Sequence, residues 1–186
     1  MKPKLEQASR QIQAQVTKLD NRVVKLKEKD SSTFNRMVAA IQKHDTQMSS
    51  ALSNELAEVR KMTKLVSQSK IALEQTTLRL DTVKNLGDMV ATLAPATCVI
   101  RSVRSGLVNF MPEAAHEMGE IGGMLSSIIV DIGQLGGFTL NFEAANEDAE
   151  RILAEASIVA EKRMKEQFPE LPLPTLEATQ SMPDQT

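Results

Sequence analysis

Apolar residues recur at helical spacing over the first eighty-odd positions with a single polar break, and no other feature restricts the fold as much. Leu5, Ile12, Val16, Leu19, Val23, Leu26, Phe34, Met37 and Ile41 follow one another at intervals of three, four or seven, with one interruption. At about 100° per residue these side chains fall within an arc of roughly 80° on one helix face. The interruption, Asp30-Ser31-Ser32, has the chemistry of an N-cap, but the apolar phase carries through it unchanged. The spacing therefore predicts one helix from about residue 3 to about residue 42.

Polar residues Lys43-His44-Asp45-Thr46 precede a second pattern through Met48, Leu52, Leu56, Val59, Val66, Leu73, Leu80 and Val83. A short polar connection between two long amphipathic segments predicts an antiparallel hairpin, with arms about 60 Å long at ~1.5 Å per residue. Such a rod buries one face of each arm and leaves much of the rest open, which favours stacking with other copies over a compact monomer. Composition agrees: the only aromatic residues are five Phe, too few for a thick core. Ala, Leu, Met, Glu, Lys, Gln and Arg, which lose least side-chain freedom in a helix, fill the first ninety positions.

Beyond Leu86-Gly87 the periodicity weakens. Pro95 and Pro112 are helix breakers, and Gly119, Gly122, Gly123, Gly133, Gly136 and Gly137 loosen the stretch between 113 and 141. The expectation is three shorter helices, at about 89 to 94, 96 to 110 and 113 to 134, joined by hinges. From Glu143 to Gln167 an acidic helix follows, with Ile152, Ala156, Val159 and Met164 near one face, and Pro169, Pro172 and Pro174 end it. The expected fold is all-α: a long antiparallel helical hairpin followed by shorter helices, elongated and conformationally variable. It divides into a basic hairpin core (1–88), shorter helices with Pro/Gly hinges (89–141), an acidic C-terminal helix (142–167) and a Pro-rich disordered tail (168–186).

Little in the chain points to catalysis. Cys98, His44 and His116 are the only Cys and His residues, too few for a four-ligand zinc site or an internal disulfide. Glu113-Ala114-Ala115-His116 has the Glu-x-x-His spacing of di-iron bundles, but a working site needs a second copy, and His44 has Ile41 three positions earlier. The glycines match neither a Walker A loop nor a dinucleotide fingerprint, so no catalytic residue, metal or cofactor is assigned. Gly119 and Gly123 have small-x-x-x-small spacing, which fits close helix packing and simple helix weakening equally well. The N-terminus begins Met1-Lys2-Pro3-Lys4 without an apolar signal core, and no uncharged apolar stretch approaches the ~18 residues of a membrane span. The expected setting is the cytoplasm, with any membrane contact peripheral.

A net charge of −2 conceals a gradient: residues 1–43 hold ten Lys/Arg against four Asp/Glu, and residues 142–186 hold four against ten. Within the basic end, Lys4, Lys18, Arg22, Lys25, Lys29, Arg36 and Lys43 share an arc of roughly 60° centred about 110° from the apolar face. A helix packed through its apolar face can still present this stripe outward to an anionic membrane, each cation contributing about 1 kcal/mol. A solvated helix face is the alternative reading. Nucleic acid is not expected, since neither an aromatic stacking platform nor a recognition-helix motif accompanies the stripe. The opposed charges also predict a closed state in which the acidic C-terminal segment folds back on the basic hairpin.

After the acidic helix comes Phe168-Pro169-Glu170-Leu171-Pro172-Leu173-Pro174. Phe168, Leu171 and Leu173 alternate with Pro169, Pro172 and Pro174, a pre-extended segment suited to docking in a groove of a partner's helical module. The alternative is a helix stop followed by a stiff tail.

The order of these features resembles the ESCRT-III family, and in detail the CdvB-type cell-division proteins of archaea. The likeness is carried by Asn54-Glu55-Leu56-Ala57-Glu58-Val59-Arg60-Lys61, Ala72-Leu73-Glu74-Gln75, Leu78-Arg79-Leu80-Asp81-Thr82-Val83, Leu93-Ala94-Pro95-Ala96, Met111-Pro112-Glu113 and Glu147-Asp148-Ala149-Glu150-Arg151-Ile152-Leu153. The resemblance implies a non-enzymatic protein that polymerises with itself and with paralogous subunits on the inner face of the cell membrane at the division site. It also implies an AAA+ ATPase partner whose MIT domain takes a Pro-rich C-terminal motif similar to residues 168–174. Some archaeal relatives carry a further C-terminal extension that recruits a membrane adaptor; a chain that ends soon after its prolines is expected to be recruited by other copies. A phage-shock-like membrane-stress scaffold, which shares a long basic hairpin, and a simple coiled-coil adaptor are the competing readings.

Overall fold

In a computed structural model that describes residues 1–137 and 141–170, the chain forms α1 (Lys2–Gln42), α2 (Thr46–Asp81), α3 (Leu86–Leu107), α4 (Pro112–Gly136) and α5 (Phe142–Gln167). The described residues are all helix and short connections, so the fold is all-α and ESCRT-III-like.

α1 runs unbroken through Asp30-Ser31-Ser32. Its buried face is Leu5, Ala8, Ile12, Val16, Leu19, Val23, Leu26, Met37 and Ala40, with Phe34 half-buried and Ile41 exposed at the far end. At the turn His44 takes a left-handed backbone (φ 56°), and the Asp45 carboxylate caps α2 by accepting from the Met48 amide at 3.0 Å. The hairpin register follows from that turn. Asp20 meets Lys70, Asp30 meets Arg60, and Ser9 meets Asp81, pairs whose two positions mirror each other about Asp45.

α2 is the central helix, touching α1, α3 and α5, and so it buries more than the single stripe read from its sequence. Thr63, Ser69, Thr76 and Thr77 are buried along with its apolar residues. Each donates its hydroxyl to the carbonyl four residues back, at 2.7 to 3.0 Å, which lets a small polar side chain sit at a helix interface without an unsatisfied donor.

Between residues 89 and 110 the structure departs from the expectation of two helices broken at Pro95. α3 continues through Pro95, which is buried in the bundle. A mid-helix proline forfeits one backbone hydrogen bond and costs about 3 kcal/mol. Leu93, Val99, Ile100 and Leu107, each 0 to 1% exposed, contribute about 1.5 to 3 kcal/mol apiece by burial, and that outweighs the break. α4 likewise incorporates the glycines from 119 to 136 and stops only at Gly137, whose φ of 62° suits a residue without Cβ. Gly119 permits close approach of α3, since a Cβ there would stand 3.1 Å from the Arg104 guanidinium; Gly123 faces open space, so the two do not form a packing pair.

α3 and α4 make a second hairpin lying along the base of the first, α4 beside α1 and α3 beside α2. α5 folds back on α2 and α3. Charge is not its main attachment: the buried face is Ala145, Ala149, Ile152, Ala156 and Ala160, and its one ion pair with α2, Lys64 to Glu161, is 3.9 Å long and exposed. All five helices share one core. A second, separate core of Met37, Ala40, Leu52 and Leu56, with Phe34 against it, belongs to α1 and α2 alone. The last ~14 residues of each arm, about 20 Å, therefore project beyond the bundle as a two-helix spur.

Candidate membrane and partner surfaces

The structure divides the seven cations of the α1 stripe into two groups. Near the base, Lys4 Nζ meets Asp131 Oδ2 at 2.9 Å and Lys18 Nζ meets the Glu117 carboxylate at 2.6 Å. The lysines are 14 residues apart on α1 and the carboxylates 14 apart on the antiparallel α4, so both pairs close in one register. Gln15 also donates to Glu117. The hydrogen bond from Lys18, then that from Gln15, holds the Glu117 carboxyl below the usual glutamate range despite some desolvation. Arg22 is half-buried, and its Nε has no hydrogen-bond partner among the described residues.

Toward the spur the stripe is open. Lys25, Lys29, Arg36 and Lys43 are exposed. Only Lys29 has an ion-pair partner among the described residues, Glu55 across the hairpin at 3.4 Å. Six of the seven stripe cations are exposed and Arg22 is half-buried, and α4 lines the first half of the stripe. Nothing in the periodicity of α1 pointed to Glu117 or Asp131. The matched 14-residue spacing is a signal only once α4 is known to run antiparallel beside α1.

The start of the Pro-rich run is engaged by the hairpin. Arg60 donates from Nε to Asp30 Oδ2 at 2.7 Å and from Nη2 to Oδ1 at 3.2 Å, while Nη1 donates to the Pro169 carbonyl at 2.6 Å. The guanidinium lies 5.5 Å from the centre of the Phe168 ring, within cation–π range. Asp30 is 3% exposed and Arg60 15%. One planar cation thus ties α1, α2 and the end of α5 together through a two-pronged carboxylate contact, a carbonyl and a ring. Asp30, whose neighbours have the chemistry of a helix cap, is instead half of this buried pair, which explains why α1 continues past it. Of the candidate partner residues, Phe168 and Pro169 are in this contact; Leu171, Pro172, Leu173 and Pro174 lie outside the described residues.

Other candidates are not brought together. Among the described residues His116 pairs only with Glu120, at 3.6 Å on its own helix, and no three metal-ligating side chains converge. Cys98 is half-buried, its thiol donating to Asn146 Oδ1 of α5 at 3.2 Å. By length and composition alone α3 is apolar enough to cross a membrane. Its uncharged run is confined to Met89–Ile100, and its apolar face is used inside the bundle.

Over 172 residues, 92% of this chain and 80% of the relative, the sequence is 40% identical to Cell division protein B1 of Sulfolobus acidocaldarius. The chain belongs to the CdvB-type ESCRT-III family. Cell division protein B of the same organism is 28% identical over 173 residues, 93% of this chain and 66% of that protein. No family model matches the sequence, and no solved structure matches it. CdvB-type membership places the chain among archaeal cell-division proteins, whose named relatives are division proteins rather than enzymes, and makes paralogous ESCRT-III subunits its natural companions. The quoted blocks behind the resemblance fall mainly on α2, α3 and α5. Arg60 and Asp30 of the three-way contact lie in or opposite the first of them.

Proposed function

We propose that this protein polymerises, with itself and with paralogous subunits, on the anionic inner surface of the cell membrane at the division site, where the polymer constricts and severs the neck. The observation that carries the reading is the exposed row Lys25, Lys29, Arg36 and Lys43, which starts at the end of the five-helix bundle and runs out along the projecting part of the hairpin. Four cations at about 1 kcal/mol each give one protomer a weak, salt-sensitive hold on a bilayer. A filament multiplies that hold, because each added protomer binds at high effective concentration. The spur supports polymerisation as well: its own small core leaves its outer faces available to a second copy.

Residues 168–174 are the proposed docking segment for the MIT domain of an AAA+ ATPase. Phe168 and Pro169 are held by Arg60, so a partner that takes the whole segment must first displace that contact. Vesicle co-sedimentation of the triple variant Lys25→Glu, Arg36→Glu, Lys43→Glu, with negative-stain imaging of the pellets, tests the central claim. The expected result is loss of both pelleting and membrane-bound filaments; a variant that pellets and polymerises like the parent overturns it.

A further inference from the structure

On the side of the hairpin away from the stripe, α1, α2 and α5 line an open cavity of about 190 Å³, with Asp20, Arg163 and Gln167 exposed at its rim. Its polar lining includes Asp20 and Lys27 from α1, Ser67 and Lys70 from α2, and Arg163 and Gln167 from α5. Three cations therefore meet one carboxylate. That carboxylate is already engaged, because Asp20 accepts from Lys70 at 2.7 Å. Lys70 has a second acidic neighbour, Glu74 at 3.8 Å, but Lys27 and Arg163 have no ion-pair partner among the described residues. The acidic residues of α5 nearest in sequence are used elsewhere, Glu161 by Lys64 and Lys165 and Glu166 by Lys162.

Folding α5 onto the hairpin brings Arg163 to a cavity that already holds two lysines. Like charges gathered in a partly closed space repel unless a counter-ion joins them. A tetrahedral oxyanion satisfies the arrangement, since its several oxygens can accept from all three cations at once, with the Ser67 hydroxyl and the Gln167 amide as further donors. The volume is about six times the ~30 Å³ share of one liquid water, enough for phosphate with a small substituent. The source of the anion follows from direction. At about 100° per residue, Asp20, Val23 and Lys27 lie roughly 160° around α1 from the centre of the stripe. A bilayer lying on the stripe does not reach the cavity, which lies on the other side of the hairpin.

We propose that this cavity is a binding site for a soluble phosphate-type oxyanion (inorganic phosphate, pyrophosphate or a small phosphomonoester) held by Lys27, Lys70 and Arg163. Because three helices contribute, the bound anion pins α5 to the hairpin beside Phe168, which also lines the cavity. The site stands independently of membrane binding.

Thermal melting and calorimetric titration of the full chain test it, with phosphate or pyrophosphate replacing chloride at constant ionic strength. The expected result is a saturable rise in Tm. Lys27→Gln and Arg163→Gln each weaken pyrophosphate binding about tenfold, the loss of one charge-assisted contact, and Lys25→Gln on the stripe leaves it unchanged. Anionic vesicles form the second arm: the Lys27→Gln, Arg163→Gln double variant is expected to bind them as the parent does. A phosphate effect no larger than that of chloride, or equal in all variants, overturns the proposal in favour of a water-filled cavity. Loss of vesicle binding by the double variant with no phosphate effect on the parent overturns it in favour of a lipid contact.

Discussion

If α4 competes with lipid for the base of the stripe, removing its two carboxylates must trade stability for membrane affinity in equal measure. The perturbation is Glu117→Gln with Asp131→Asn. Lys4 and Asp131 are 53% and 40% exposed, and Lys18 and Glu117 are 52% and 36%. Each pair is thus a surface ion pair, worth about 0.2 to 1 kcal/mol. Together they contribute roughly 0.4 to 2 kcal/mol, which the parent must give up before Lys4 and Lys18 can face a bilayer and the variant need not. Vesicle affinity should therefore rise between about twofold and thirtyfold, and Tm should fall by about 1 to 8 °C at roughly 2 to 4 °C per kcal/mol for a chain of this size. Both changes shrink at high salt. Co-sedimentation against anionic vesicles at two ionic strengths, with melting curves on the same protein, gives both numbers. A drop in Tm with unchanged affinity refutes the competition; a gain in affinity without loss of stability means that the carboxylates acted by bulk repulsion and not by pairing.

Other expectations follow from single contacts. Arg60→Ala leaves the Asp30 carboxylate buried and unpaired, and should cost about 3 to 5 kcal/mol in denaturant unfolding; a loss below ~1 kcal/mol, the size of an exposed pair, would contradict the buried geometry. Glu117 and Asp20 are both held below the usual carboxylate range, Glu117 chiefly by Lys18 and Asp20 chiefly by Lys70. Their contribution is full above that range and is lost as pH falls below it through the lowered values, so an acid melting series on Glu117→Gln should be shallower than on the parent. His44→Gly removes a left-handed backbone strain of about 1 kcal/mol and is expected to raise stability by no more than that, with the hairpin turn intact by amide exchange; a destabilised variant would mean the imidazole makes a contact that offsets the strain.

Much of the first half of the molecule was legible in its sequence because the causes are local. The apolar period of α1, the polar break at Lys43 to Thr46 and the second period of α2 determine two helices and a turn; the pairing of Asp20 with Lys70 and Asp30 with Arg60 follows once the structure centres that turn on Asp45. The seven-cation stripe is likewise a property of one helix. Pro95 marks where local reasoning stopped working: the ring argues for a break at any solvated position, and only burial of Leu93, Val99 and Ile100 against other helices reverses the balance. Which cations of the stripe are occupied was beyond the sequence as well, because Glu117 and Asp131 are 99 and 127 residues from their partners and α4 had first to be laid beside α1. The contact from Arg60 to Phe168 and Pro169 and the cavity lined by α1, α2 and α5 have the same origin. Periodicity states which face of a helix is apolar, but the partner that covers it, and the charges carried along with that partner, are settled only when distant helices compete for the same surface.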